Sequence, residues 1–555
     1  MWPRVRRAIP ILEWLPRYRR EYLRGDLVAG VTGAAIIVPQ SMAYATIGGL
    51  PPIVGLYASV VPVLVYVVFG QSPQLSVGPL ATISIIAAVS LAKLAPAGSS
   101  QYIAYAATLA VMVGVLHVAL GLGRLGFLVR FISEPVMTGF IAGVGVVIIS
   151  SQLAPLFGYS VPTESRVYDT VYEWATHLDE TSAATLAVSI STLVALYALR
   201  GYRLLPSALI VVVAWSSAVA LFDLDEHGVA VVGHVPGGLA GPAWPPFDMH
   251  AVEVLAGAAF AVTFVGFLES IGIERTYARK HGYRVDPNQE LVALGLSNVG
   301  AGFFQGMIVT GAVTRSSIID AAGARTQLAG AVSAAIVAPL LVFWTDAFSD
   351  IPIAVLAAIV VVAVTPFVKI GEARRVWRVQ RADFWLLVLA FTATVVLGLE
   401  LGVLVAVAAS LAVIVYRVTN PRVAELGRAT GSDAFVELDR HADVETFPGT
   451  VIMRVEAPLW FTNAEDVERH LRAAVSRDGV STLVLDASGI DHLDVTGDHM
   501  LRNLAQECSG AGVRMLLVNV QERVRDVMNA SGFTELVGSD AFLATDEDAV
   551  DRLKP

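Results

Sequence analysis

The residues best placed to do chemistry lie in 304–326, FQGMIVTGAVTRSSIIDAAGART, where Arg315 sits among Thr314, Ser316 and Ser317 and follows Gly311. The surroundings are apolar, yet the run is too short to cross a bilayer, which takes about 20 residues. A charge at membrane depth costs at least about 2.5 kcal/mol on insertion scales and is rarely found there without a partner. A half-helix whose N-terminal amides, hydroxyls and guanidinium face an anion would provide one. The plainer alternative is a loop with a snorkelling arginine. A second reactive group is Glu269 in TFVGFLES, residues 263–270, a carboxyl in an apolar span that could take up and release a proton. It could equally be a buried structural partner of Arg315 or Arg275, or a sodium ligand. Glu274, close to a basic loop, reads as a solvated helix-end charge, and Glu134 before Pro135 reads as a helix cap.

These groups need a membrane-embedded scaffold to hold them. The 555 residues are 55% hydrophobic and only 15% charged, against about 25% charged in soluble chains. The expected class is a polytopic α-helical membrane protein. The net charge of −10 is segregated along the chain rather than spread. One cysteine, Cys508, excludes an intrachain disulfide. No metal cluster, Walker lysine motif or nucleophile–His–Asp set stands out. The expectation is no metal, no cofactor, no nucleic-acid partner and no enzyme.

Arg4, Arg6, Arg7, Arg17, Arg19, Arg20 and Arg24 make residues 1–25 a basic segment, expected in the cytosol. It lacks the cleavage pattern of a signal peptide. Residues 9–15 suit a short interfacial helix anchored by Trp14. Apolar spans are expected near 27–47, 53–70, 78–94, 102–122, 131–157, 181–199 and 204–222, and near 251–275, 288–306, 311–320, 326–346, 352–368, 382–399 and 400–416. Loops on the expected inner side carry Arg124 and Arg130; Arg200 and Arg203; Arg275, Arg279, Lys280 and Arg284; and Lys369, Arg374, Arg375, Arg378 and Arg381. Expected outer loops carry Glu164, Asp169, Glu173, Asp179 and Glu180, then Asp223, Asp225, Glu226 and Asp248. This alternation supports fourteen spans with both termini in the cytosol of an inner, plasma-type membrane.

Two spans are interrupted. The third begins Ser76-Val77-Gly78-Pro79, and the tenth holds Arg315; each is third in its set of seven. Matched interruptions point to two inverted seven-helix repeats, near 26–222 and 251–418, with a site at the midplane. A simple Gly-Pro kink is the alternative for the third. Opposed half-helix N-termini would turn the amides near Leu80, Ala81 and Thr82 toward those near Ala312, Val313 and Thr314.

The transport domain is expected over 26–420, with a linker at 421–439 and a cytosolic α/β domain at 440–555. Residues 451–454, 459–461, 481–486 and 514–520 read as strands. Residues 464–475, with Asn463 as N-cap, 495–510 and 522–531 read as helices.

Several motifs resemble the SulP sulfate-permease family of anion transporters. The run Pro39-Gln40-Ser41-Met42-Ala43-Tyr44-Ala45, with Gly49-Leu50-Pro51-Pro52 and Gly55-Leu56-Tyr57, resembles its PQxMAYAxxAGLPPxxGLY signature, with Gly48 in place of an alanine. Ser76-Val77-Gly78-Pro79 resembles its SVGP, Asn288-Gln289-Glu290-Leu291 with Gly295 and Asn298 its NQELxAxGxxN, and Gly323-Ala324-Arg325-Thr326 its GART. The C-terminal part resembles a STAS domain, shared with anti-sigma-factor antagonists. Against the family's PVSGSFSRSAVN, Ile308 replaces the proline, Ala312 a serine and Ile319 the asparagine, while Gly311, Thr314 and Arg315 fit. Those departures bear on anion preference.

The resemblance implies secondary transport of a small inorganic anion, sulfate first, with bicarbonate, dicarboxylate or chloride exchange and an uncoupled channel as alternatives. It places Gln40 beside the two half-helices and gives Glu269 the ion-coupling role, for a proton or for sodium. It implies a core of spans one, three, eight and ten moving against a gate, in an elevator-like or rocking motion, within a homodimer. Thr496 in Asp494-Val495-Thr496-Gly497 aligns with the phosphorylated hydroxyl of soluble STAS proteins, though it could simply cap a helix. A cytosolic regulator of the STAS domain would be a further partner. In the other reading, the chain is an anion-sensing receptor that signals through that domain.

Overall fold

Each of the fourteen apolar segments carries helix in the computed structural model, which describes residues 8–127, 133–161, 166–199, 201, 206–441 and 443–552. Arg4, Arg6, Arg7, Arg130, Glu164, Arg200 and Arg203 lie outside those residues. Among the described residues, seven helices are long and apolar enough to cross a membrane. Two compact units form, Met1–Ser410 and Leu411–Pro555.

In the first unit, helix α1 (Leu23–Ile47) runs through Pro39 and buries most of its second half. The chain then thins to a two-residue strand, β1 (Val77–Gly78), before α2 (Ala81–Leu91) and α3 (Ser100–Leu122). The second set opens with α4 (Met249–His281) and α5 (Pro287–Phe303), followed by strand β2 (Thr310–Gly311), α6 (Val313–Ala321) and α7 (Leu328–Phe343). Helices α2 and α6, of 11 and 9 residues, are too short to span a bilayer. Asp26 of α1 is fully buried and accepts hydrogen bonds from the Arg325 and Thr326 amides, at 2.7 and 3.0 Å, and from the Thr326 hydroxyl. Those three donors satisfy a carboxylate that would otherwise be costly to bury, and they tie the segment after α6 to the start of α1.

Helices α3 and α5 touch backbone to backbone. A Cβ on Gly114 would lie 2.7 Å from the Gly295 carbonyl oxygen, and one on Gly295 would lie 2.7 Å from that of Gly114. Neither backbone can yield as a side chain would. Overpacking of a core commonly costs about 1–3 kcal/mol. Gly295→Leu is therefore expected to lose most of its monodisperse protein in size-exclusion chromatography, and Gly272→Leu, where a Cβ meets nothing within 4 Å, to lose little.

At the first turn of helix Glu134–Ser151, Glu134 is well placed for the helix dipole. The N-cap is Ser133 rather than Glu134, and no side chain caps that end.

The second unit holds one seven-stranded sheet. Strand β3 (Val423–Ala429) runs antiparallel to β4 (Phe435–Glu437), β5 (Val444–Glu445) and β6 (Thr450–Val455), whereas β6, β7 (Thr482–Asp486), β8 (Arg514–Val518) and β9 (Phe542–Leu543) run parallel. Helices α8 (Ala464–Val475), α9 (Val495–Gly510), α10 (Glu522–Ala530) and α11 (Asp546–Asp551) alternate with the later strands. Met453, Leu485 and Leu517 enter one core while Ile452, Val484 and Leu516 enter the other, the period-two pattern of a sheet covered on both faces.

Three expectations need correction here. The proposed linker, 421–439, contains β3 and β4, so the sheet begins before residue 440. Residues 459–461 form no strand: only Leu459 pairs, in a single bridge with Leu493. Asn463 stands at the N-cap of α8 but turns its side chain backward, accepting from the Trp460 amide and donating to the Pro458 carbonyl. It holds the preceding turn and leaves the helix end uncapped.

Candidate anion site

Strands β1 and β2 pair antiparallel, Val77 opposite Gly311 and Gly78 opposite Thr310. The two interrupted spans, remote in sequence, thus meet at their breaks. The Ala312 amide donates to the Ser76 carbonyl at 3.1 Å and the Ser76 amide to the Ser316 hydroxyl at 3.0 Å. Helices α2 and α6 leave this pair in sequence through extended N-caps, Leu80 and Ala312, and neither end carries a side-chain cap. The first-turn amides of each helix have no intrahelical acceptor, so both termini suit an anion.

The pair is held from two sides. The Asn298 side chain of α5 clamps the Val309 backbone, donating to its carbonyl at 2.9 Å and accepting from its amide at 2.8 Å. Ser270 of α4 accepts from the Gly311 amide at 3.0 Å and lies 2.9 Å from the Thr310 hydroxyl, which donates to the Gly266 carbonyl.

Arg315 is 1% exposed, which rules out a snorkelling side chain. One terminal nitrogen donates to the Pro79 carbonyl at 2.8 Å, so the guanidinium reaches from α6 to the break before α2. Its other terminal nitrogen and its Nε have no hydrogen-bond partner. Such orphan donors on a buried charge are expensive. Glu269 accepts from the Thr82 hydroxyl of α2 at 3.4 Å through one carboxyl oxygen, and the other oxygen is unpartnered. Among the described residues it forms no ion pair with Arg315 or Arg275. Gln40 is buried on α1 with its side-chain oxygen unpartnered.

Of the expected site residues, Leu80, Ala81, Thr82 and Ala312 are buried beside the paired strands, Thr314 is half-buried, and the Val313 side chain is exposed. Ser316, expected to turn its hydroxyl to the anion, instead accepts from the Ser76 amide across the breaks. Three groups did not stand out in the sequence. Ser270 and Thr310 lash the breaks together. Tyr44, fully buried, lies within electrostatic reach of both Arg315 and Glu269. A signal for Tyr44 was present, because it follows Gln40 by four residues and shares its helix face. A cavity of about 470 Å³ runs along Ala43, Thr46 and Ile47 of the same helix, opposite Gln152 and Thr185.

Glu274 is not solvated. It is fully buried and accepts from the Tyr66 hydroxyl at 3.2 Å.

In the C-terminal unit Thr496 does not cap its helix. Asp494 does, accepting from the Gly497 amide at 2.8 Å, and the Thr496 side chain stands exposed in the first turn of α9. At the end of β7, Asp486 pairs with Arg454 and accepts from Asn519, whose amide also donates to Asp546. Burial, with the nearby Asp486 charge, pushes the Asp546 carboxyl up to about 6. An unfolded aspartate titrates near 3.9. The stability this group contributes is therefore complete below about pH 4 and is lost as pH rises through about 6. Asp546→Asn should melt progressively above the parent as pH rises from about 4 to about 6, with the difference level at higher pH, read as the difference in melting temperature of the two C-terminal units.

The sequence matches the model of the sulfate permease family over residues 23–390 and that of the STAS domain over 441–549. It is 35% identical over 532 residues, 95% of each chain, to a protein of Mycobacterium tuberculosis named a probable sulfate transporter. It is 34% identical to sulfate transporter 4.1, chloroplastic, of Arabidopsis thaliana, covering 98% of this chain and 82% of that one. Among solved structures, murine Solute Carrier 26 family member A9, an anion transporter in its inward-facing state, superposes with a TM-score of 0.91 at 27% identity, covering 99% of this chain and 94% of that one. The paired breaks, the buried arginine and these likenesses agree: the chain belongs to the sulfate permease family of membrane anion transporters and ends in a STAS domain.

Proposed function

We propose that the chain carries sulfate across the membrane in symport with a proton. The observation that carries this reading is the pairing of β1 with β2, which joins two uncapped helix N-termini at a buried guanidinium with unpaired donors. Amides from Ala81, Thr82, Val313 and Thr314, with those next to Leu80 and Ala312, would hold the anion; Gln40 and Arg315 would add a side-chain amide and a positive potential. Glu269, bonded to the first turn of α2 through Thr82, would carry the proton. Relatives named sulfate transporters favour sulfate as the anion.

In this reading fourteen spans form two inverted repeats. The core of α1, α2, α4 and α6 moves against the remaining helices, elevator-like, in a homodimer of the plasma-type membrane with both termini in the cytosol. The 470 Å³ cavity beside α1 would be one access route. Thr496, exposed at a helix N-terminus, would accept a phosphate there.

The test is labelled sulfate uptake into proteoliposomes with and without an inward proton gradient, competed by bicarbonate, chloride and dicarboxylates. Gradient-stimulated sulfate uptake is expected. Gradient-insensitive uptake would replace symport with exchange or a channel, and flux of a competitor without sulfate flux would change the substrate. Anion binding without flux of any anion would favour a receptor.

A further inference from the structure

Between the apolar helices Ile353–Val364 and Arg381–Leu397 stands a helix of different character, Ile370–Val379. A 3-10 turn, Thr365–Phe367, carries Pro366, and Val368 and Lys369 then leave the helical conformation with ψ of 86° and 75°. The chain therefore starts a new helix there instead of prolonging the span. None of its 10 residues is buried. Ile370, Ala373 and Trp377, at i, i+3 and i+7, share one face, and Arg374, Arg375 and Arg378 share the neighbouring one. Three arginines on so short a helix keep it out of the hydrocarbon, while the apolar helices on either side hold it at the membrane surface. We propose that this helix binds an acidic phospholipid, with the headgroup between Arg374 and Arg378 and the apolar part of the lipid against Trp377 and Phe384.

The groove for such a ligand is formed already. A cavity of about 280 Å³ is lined by Ile370, Ala373, Arg374, Trp377, Arg378 and Phe384. The Trp377 and Phe384 rings meet edge to face with centroids 4.8 Å apart, and the Arg381 guanidinium lies 5.4 Å over the Trp377 ring. That cation is thereby engaged by the aromatic wall. Arg375 pairs with Glu372 at 3.4 Å, whereas Lys369, Arg374 and Arg378 form no ion pair among the described residues. Arg374 and Arg378 are four residues apart, so both uncompensated charges stand on the same edge of the groove. Ile370, Trp377 and Trp385 nevertheless remain 60%, 42% and 62% exposed.

Only an anionic amphiphile matches both halves of this surface. A free anion would answer the arginines and leave the aromatic wall bare. A neutral lipid would cover the wall and leave two cations without a counter-charge. An acidic phospholipid supplies phosphate and hydrocarbon on one molecule, at the depth where tryptophan rings and basic side chains of interfacial helices settle. Lipid binding here requires only that the chain is embedded in a bilayer, so neither the sulfate nor the proton assignment bears on it. The groove shares no residue with the paired breaks at β1 and β2.

The experiment titrates the detergent-solubilised full chain with phosphatidylglycerol, phosphatidylcholine or soluble glycerol 3-phosphate, and reads bound ligand by native mass spectrometry. Phosphatidylglycerol should saturate a site that phosphatidylcholine fills far less and glycerol 3-phosphate leaves empty. Each basic side chain at a membrane surface is worth about fivefold in affinity for acidic lipid, so Arg374→Gln/Arg378→Gln should weaken binding roughly 30-fold. Both arginines are exposed, and the variant should melt with the parent in phosphatidylcholine. Should it fold poorly, Arg378→Gln alone still decides, with a loss of about fivefold. Arg284→Gln/Arg325→Gln removes two charges that line a separate cavity and should leave the affinity unchanged. An equal loss in that control would reduce the effect to net charge and overturn the site. Equal binding of the two lipids by the parent, or undiminished phosphatidylglycerol binding by R374Q/R378Q, would overturn it as well. Glycerol 3-phosphate bound as tightly as the lipid would assign the arginines to a free anion. Dissociation of an oligomer in R374Q/R378Q with lipid binding unchanged would assign the face to a second copy of the chain, and either result overturns the lipid.

Discussion

Arg315→Met should abolish anion-induced stabilisation of the protein while leaving it at least as stable as the parent in anion-free buffer. The guanidinium is 1% exposed and satisfied at only one nitrogen, so in the empty site it is a buried, under-bonded charge. Replacing such a charge with an apolar side chain of similar volume is often neutral or stabilising. With an anion present the balance reverses. Losing one partner of a buried, hydrogen-bonded charge pair costs about 2–5 kcal/mol, roughly 30-fold to several thousandfold in affinity. Arg315→Lys should fall between the two, since an ammonium keeps the charge but not the planar fork that reaches Pro79. The measurement is the melting temperature across a sulfate titration. An unchanged affinity in R315M would place the guanidinium outside the site and leave the helix termini to bind alone.

Glu269→Gln should separate anion binding from the proton. The glutamine can still meet the Thr82 hydroxyl, so the first turn of α2 keeps its neighbour. What it cannot do is change charge. Sulfate affinity at low pH should stay within a few-fold of the parent, while stimulation of uptake by an inward proton gradient falls to none. The change in the proton-linked driving force is the diagnostic, because a merely structural role would lower both measurements together. Persistence of gradient-driven uptake would remove Glu269 from the coupling step.

The paired breaks were legible because two local signals coincided. Gly78-Pro79 and the short run around Gly311 each interrupt a hydrophobic stretch that length alone would make a span, and both stand third in their sets. The buried state of Glu274 was not legible. The span was expected to end near residue 275, whereas α4 continues to His281, which carries Glu274 inside the packed region. Its meeting with Tyr66 depends on two helices whose mutual rotation no periodicity of one helix reveals. The strands of the second unit were read well where apolar runs are continuous, as in Thr482–Asp486. Val423–Ala429 was missed because Glu425, Gly427 and Arg428 give it the composition of a linker. Its strand character comes from pairing with β6.

Ser76 and Ser316, which bond across the paired breaks, are 240 residues apart in the chain. Translation proceeds at about 5–20 residues per second, so the first half of the site waits on the order of 10–50 s for the second to be made. Throughout that interval β1 has no partner strand, and the uncapped end of α2 has no Arg315 beside it. A ribosome-bound chain stalled before residue 310 therefore holds a membrane segment with unsatisfied backbone, the kind of surface an insertase or chaperone would shield. Long-range closure of this sort slows folding, which makes the last steps of biogenesis, rather than insertion of the first helices, the stage at which the binding centre comes into being.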